Sequence, residues 1–122
     1  MRKLGLIIAL CLPFLFAPLA AFAATPIFSA TISSSGPTSS FYLPTGGNAS
    51  VFFQGGTDII QLEASPDGVT WYPTYAAGSN QLYVWSLTGN NVFDTISNAA
   101  GGIYYRFNCT AYTSSTSVAV YR

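Results

Sequence analysis

The side chains that could do acid–base or nucleophilic chemistry are few in this chain, which has no histidine among its 122 residues. Its lysine, Lys3, lies in a short basic start that precedes an apolar stretch. A general base working near neutral pH is most often His, and otherwise a tuned Asp, Glu, Lys, Tyr or Cys. Two carboxylates could hydrolyse a glycoside, and the candidates are Asp58, Glu63, Asp67 and Asp94. Since Asp58 and Asp67 follow turn sequences, we expect turn and surface roles for these carboxylates, and no enzyme and no catalytic residues.

Cys109 is the cysteine that lies outside the leading apolar segment, so no intramolecular disulfide is expected. Alternation in a strand over residues 103–112 places five residues on one face, namely Ile103, Tyr105, Phe107, Cys109 and Ala111. Cys109 is therefore predicted to be a small buried hydrophobic residue rather than a nucleophile. The zinc patterns His-x-x-x-His and Cys-x-x-Cys and the calcium pattern Asp-x-Asp-x-Asp do not occur, so no metal or other cofactor is predicted.

The first residues have the order of a secretory signal. Met1-Arg2-Lys3 is followed by an apolar run over residues 4–16 and by small residues up to Ala24, which predicts a signal peptide over residues 1–23 and a mature domain over residues 24–122. A transmembrane helix needs about 20 apolar residues, and Pro13 and Pro18 interrupt this run. We expect an exported protein, in the periplasm, outside the cell or on its surface, with membrane contact only through an uncleaved signal.

The mature domain carries very little charge. Without Arg2 and Lys3 it keeps four Asp and Glu residues against Arg106 and Arg122, a net charge of minus two. Because phosphate contacts need clustered Lys and Arg, nucleic acid is excluded as a partner, and anionic membrane surfaces are disfavoured for the same reason. With so little charge, the surface must be solvated by uncharged polar side chains, such as the Ser and Thr clusters in residues 33–35 and 113–116. This composition resembles that of extracellular and virion proteins.

Period-two alternation recurs along the mature chain, and no stretch after the signal has a helical period. The predicted strands cover residues 27–33, 41–43, 49–54, 59–64, 69–72, 81–87, 92–96, 103–112 and 117–121. Turn-forming sequences separate them, as in Ser35-Gly36-Pro37 and Gly89-Asn90-Asn91. Short strands at this spacing predict a single all-β domain, an antiparallel β-sandwich of immunoglobulin-like or jelly-roll-like type.

One hairpin carries a specific turn. Ser65-Pro66-Asp67-Gly68 has the residues of a type I turn closed by a glycine bulge and is predicted to join the strands at 59–64 and 69–72. The string from Leu62 to Trp71 resembles the L-x-x-S-x-D-G-x-x-W hairpin of discoidin-like sugar-binding and adhesion domains. It is also similar to hairpins in small β-sandwich proteins of tailed-phage virions, where a later strand carries a string much like Tyr105-Arg106-Phe107. The first resemblance implies sugar binding or adhesion, and the second a structural or decorative role, often in an oligomer.

Aromatic side chains are the main candidates for binding. The predicted binding residues are Trp71, Tyr72, Tyr75, Tyr83 and Trp85. Within residues 81–87 two orientations are open. If Leu82 and Val84 face the core, then Tyr83 and Trp85 form an exposed platform that stacks on sugars or binds a partner. In the opposite orientation the aromatic rings belong to the core.

Self-assembly is a separate expectation. Low charge and many β-branched residues make edge strands prone to pairing, and residues 25–32 could act as a donated strand. The ending, residues 118–122, is similar to the last strand of chaperone-usher pilins. Together these features predict a non-enzymatic structural or surface-attachment module whose partner is another copy or another surface or virion protein. The alternative is a carbohydrate-binding module with a glycan on exposed Trp and Tyr rings.

Overall fold

The structure, a computed structural model, describes residues 24–76 and 78–122, and all regular structure in them is β. The predicted signal peptide, with Cys11, lies outside the described residues. Ten strands form two antiparallel sheets, so the expectation of an all-β fold of antiparallel sheets is confirmed.

The first sheet has four strands in the order β1-β10-β4-β8. Their bounds are Phe28–Ile32 for β1, Thr116–Tyr121 for β10, Gly47–Gln54 for β4 and Val92–Ala99 for β8. The first and last strands of the chain are neighbours, with Phe28 opposite Val120 and Ile32 opposite Thr116. The segment predicted as a donated strand is thus paired within its own chain.

The second sheet is built around β9, Ile103–Ala111, and β5, Ile59–Ser65. Each of its edges consists of two short strands. On the β9 side these are β2, Gly36–Pro37, and β3, Phe41–Leu43; on the β5 side they are β6, Tyr72–Pro73, and β7, Val84–Ser86. The sequence predicted a turn at Gly36–Pro37, and the structure instead pairs these residues with Cys109 and Asn108.

The core lies between the inner faces of the two sheets. The alternation predicted for β9 is confirmed, because Tyr105, Phe107 and Cys109 are buried. The ring of Phe107 lies among the rings of Phe28, Phe41, Phe53 and Trp85, with centroid distances of 5.6 to 6.1 Å. Burial raises the pKa of the Cys109 thiol, and the nearby Asp58 carboxylate adds to the shift, so this cysteine has a packing role.

The turn after β5 is closed by side chains rather than by a tight hairpin. Gly68 has the expected positive φ, +75°, but Asp67 Oδ1 accepts hydrogen bonds from the backbone N–H groups of Val69 and Thr70, each at 2.9 Å. These two hydrogen bonds lower the pKa of Asp67 to about 2, and the bond from the Thr70 N–H has the larger effect. Asp67 engages these two amides, and β6 begins only at Tyr72, so the strand predicted over residues 69–72 is wrong for residues 69–71. The predicted pairing with the strand before the turn is confirmed, since Tyr72 lies opposite Ala64.

Asp58 is a buried structural carboxylate and not a surface residue as the sequence predicted. It lies in the connection from β4 to β5 and binds the connection from β9 to β10, where the N–H groups of Thr113 and Ser114 donate to Oδ1 at 2.6 and 3.0 Å. The Thr116 hydroxyl donates to Oδ2 at 2.7 Å. Desolvation by burial pushes the pKa of Asp58 up, but these hydrogen bonds outweigh it, so the pKa is lowered from 3.8. We call these four residues the Asp58 cluster.

Candidate binding surfaces

The structure decides between the two orientations predicted for residues 81–87. Trp85 is only 7% exposed, and its ring packs against Phe53 at 5.0 Å between centroids, whereas Leu82 and Val84 are exposed. The expectation of an exposed platform is therefore wrong for Trp85, which faces the core. A buried indole N–H needs an acceptor, and Trp85 Nε1 donates to Asp94 Oδ2 at 2.7 Å. Asp94 thus points inward and serves as a core partner.

Tyr83 lies between the core and a small cavity. Its ring stacks near Trp85 at 6.0 Å, and its hydroxyl accepts a hydrogen bond from the Ser97 N–H at 2.9 Å. The cavity of about 210 Å³ is lined by parts of both sheets, including Tyr75, Tyr83, Tyr105 and Thr74. The Thr74 hydroxyl oxygen is buried there without a hydrogen-bond partner among the described residues. Buried polar groups are normally paired with protein or water, so this hydroxyl is an exception in the described part of the fold.

The outer face of the second sheet carries a polar network. Arg106 Nε donates to Glu63 Oε2 at 2.6 Å, and Asn108 Nδ2 donates to Glu63 Oε1 at 2.9 Å. The Arg106 guanidinium lies 4.3 Å from the centroid of the Trp71 ring, which is a cation–π contact. Arg106 therefore covers one face of Trp71, and Glu63 is fixed in a structural pair rather than available as a catalytic acid.

The five predicted binding residues do not form one site. Trp71 lies under Arg106, Tyr72 is exposed at the sheet edge, Tyr75 and Tyr83 line the small cavity, and Trp85 is in the core. They were grouped because they are close in sequence, but strand alternation and the turn at residues 66–71 distribute them over separate surfaces.

The outer face of the first sheet carries an uncharged groove next to an exposed aromatic pair. The ring of Phe93 on β8 stacks on the ring of Phe52 on β4, with centroids 4.2 Å apart and planes 14° from parallel, and Phe93 is 77% exposed. We call this aromatic pair the shelf, and the groove adjoins it. The groove has a volume of about 420 Å³, and its outward-facing lining residues are Ser29, Thr31, Phe52, Gln54, Ser117, Ala119 and Tyr121.

Neither the shelf nor the groove has a charged side chain. Asp94 is the one charged residue in the four strands of the first sheet, and it is bonded to Trp85 on the inner side. Sequence reasoning missed the shelf, although the adjacent pair Phe52 and Phe53 contained a signal. Neighbouring residues in a strand point to opposite faces, so one of these two rings had to lie outside.

The described part of the chain holds no group of three or more His, Cys, Asp or Glu residues placed to bind a metal ion. No helix in it has the length and apolar character needed to cross a membrane. Comparisons of the chain with protein-family models, with curated proteins and with solved structures found no match.

Proposed function

We propose that this chain is an exported, non-catalytic jelly-roll module with a structural or attachment role, and that it associates with other copies through the shelf. The observation that carries the proposal is the exposed Phe93 ring stacked on Phe52 on a sheet face without charge. Apolar surface exposed in this way marks interaction sites, and aromatic anchors supply much of the binding energy at interfaces.

The strand order supports the jelly-roll assignment. If the two short strands at each edge of the second sheet are counted as one interrupted strand, the chain has eight strands in two sheets. They pair first with last, second with seventh, third with sixth and fourth with fifth. This nested pairing is typical of jelly rolls, which are common in capsid and lectin domains, whereas immunoglobulin-type sandwiches have the orders A-B-E-D and C-F-G.

The non-catalytic role is supported by the placement of the carboxylates. Asp58 and Asp67 accept backbone hydrogen bonds, Glu63 is paired with Arg106, and Asp94 accepts a hydrogen bond from the Trp85 indole. A general acid or base must reach the proton that it transfers. Each of these carboxylates is instead used to hold the fold.

The first test is the molar mass of signal-free protein by light scattering over a concentration series. We expect the mass to rise with concentration, and Phe93→Ser to weaken the association about tenfold or more because an aromatic anchor is lost. Val69→Ser is the matched control, since Val69 is 79% exposed and lies in the turn between β5 and β6, outside the first sheet. A wild-type protein that stays monomeric throughout would contradict the proposal.

A second candidate function is carbohydrate binding in the small cavity. It is favoured by the Tyr75 and Tyr83 residues that line the cavity, because sugars offer apolar ring faces that pack on aromatic side chains. In a screen on immobilised neutral glycans we expect Tyr75→Ala to abolish binding. Tyr72→Ala is the control, since Tyr72 and Tyr75 are equally exposed, at 56% and 55%, and only Tyr75 lines the cavity. Equal loss in both variants, or no binding by the wild type, would contradict this candidate.

A further inference from the structure

We propose that the outer edge of β1 pairs with β1 of a second copy, antiparallel and around a two-fold axis. Two four-stranded first sheets then become one continuous sheet. This inference rests on the proposed self-association and names a contact distinct from the shelf. It follows from a comparison of the four sheet edges of the molecule, because an edge strand with unpaired N–H and C=O groups is a template for another strand.

The β8 edge of the first sheet is capped by side chains. The Thr95 N–H donates to Asp94 Oδ1 at 2.7 Å, and the Ser97 N–H donates to the Tyr83 hydroxyl at 2.9 Å. Two donors of this strand are therefore already satisfied. The register also shifts between β4 and β8, where Gly47 lies opposite Ala99 but Ala49 lies opposite Ile96, and bulges and inward-pointing charges both protect edge strands.

The two edges of the second sheet are short and interrupted. β2 and β6 have two residues each, and both include a proline, Pro37 and Pro73, which cannot donate a ladder hydrogen bond. On the β5 side, the segment that connects β6 to β7 turns away from the sheet. It pairs with itself, since the Tyr83 N–H donates to the Thr74 carbonyl at 2.9 Å. Neither edge offers a continuous strand to a partner.

β1 has none of these protections. It is five residues long, Phe28–Ile32, without proline, glycine or charge, and it is held along its whole length by β10 on one side. Among residues 24–76 and 78–122, no strand pairs with its other side. Ser29 and Thr31 are its exposed side chains, so an antiparallel partner would bring small uncharged groups together with nothing to repel it.

If the single open edge in the described part of the chain is the one that pairs, the size of the assembly follows from it. A contact between two identical edges is isologous and closes after two copies, whereas a fibre needs two different contact sites. Edge pairing should therefore give a dimer. Because Phe93 lies on β8, at the far side of the sheet from β1, the shelf stays accessible in this dimer and can make the second contact.

The test combines two sets of variants in the same light-scattering series. We expect Ser29→Lys with Thr31→Lys to abolish the edge contact, because four lysines would meet across the two-fold axis. Val69→Lys is the control for an added positive charge away from the first sheet, since Val69 is 79% exposed in the turn after β5, and thermal unfolding checks that all variants fold. The Phe93→Ser protein should assemble no further than the dimer. The protein that combines Phe93→Ser with the two lysine substitutions should be monomeric.

Amide hydrogen exchange supplies a readout specific to the edge. In Phe93→Ser we expect residues 28–32 to exchange at least tenfold more slowly at concentrations where the dimer forms than in the monomer. If the lysine pair leaves the mass and this exchange unchanged while Phe93→Ser lowers the mass, the edge inference fails and the shelf proposal stands. If the lysine pair acts and Phe93→Ser does not, the shelf proposal fails and the edge inference stands.

Discussion

Asp58→Ala is expected to destabilise the fold by on the order of 3 kcal/mol or more, because it removes the buried acceptor of four hydrogen bonds, one of them from the buried Thr116 hydroxyl. The donors are the N–H groups of Thr113 and Ser114 and the hydroxyls of Thr113 and Thr116. A small domain has a total stability of roughly 5 to 15 kcal/mol, so much of it would be lost. Urea unfolding followed by tryptophan fluorescence measures the change in unfolding free energy.

Asp58→Asn separates charge from shape in the same cluster. The amide keeps one acceptor oxygen for the two backbone N–H groups, so the loss should be clearly smaller than for alanine. The pKa of Asp58 is lower in the fold than its ordinary 3.8, so the carboxylate contributes stability that is present above about pH 4 and is lost as the pH falls through the folded pKa. The Asp58→Asn protein should lack the loss of stability at low pH that comes from Asp58. The loss that comes from Asp67 should remain. Equal stabilities for Ala and Asn would contradict this role of the cluster.

Gly56→Ala is the second substitution with a large expected effect. A Cβ at residue 56 would lie 1.7 Å from Thr116 Oγ1, and the backbone there has φ of +73°. The methyl group would have to displace the hydroxyl that donates to Asp58. We expect a loss of roughly 3 kcal/mol or more, from the overlap and the positive φ together, measured by the same urea unfolding.

Gly78→Ala is the matched control for this substitution. Gly78 has the same φ of +73°, but a Cβ there would meet no atom within 4 Å. The control therefore contains only the cost of a left-handed backbone, about 1 to 2 kcal/mol. The difference between the two variants measures the steric conflict with Thr116, and a difference near zero would show that the cluster can shift to make room.

The strands that were well predicted are those in which local pattern and tertiary pairing agree. β9 is the best case, because its alternation from Ile103 to Ala111 matches the inner and outer faces of a central strand. The prediction failed at residues 69–72, where the Asp67 carboxylate takes two amides. It also failed at Gly36–Pro37, which reads as a turn but pairs with β9. In both places a distant or side-chain partner overrides the local pattern.

The candidate sites were harder to predict than the fold. Alternation shows that Tyr83 and Trp85 share a face, but it cannot show which face is inside; that depends on Ile60 opposite Trp85 and on Asp94 as the acceptor of the indole N–H. Asp58 was expected at the surface because its four donors come from residues more than fifty positions later in the chain. The shelf depends on the register between β4 and β8, which places Phe52 opposite Phe93.

The pairing of β1 with β10 also sets the order of folding events. Phe28 and Val120 are direct partners, so the edge of the first sheet forms only when nearly the whole chain is present. Loop closure over such a separation is slow, and domains dominated by non-local strand pairs fold in roughly milliseconds to seconds. A polypeptide emerging gradually from a ribosome therefore lacks β10 until residue 121 has emerged. The domain would remain unfolded until that moment and would then fold in one cooperative step.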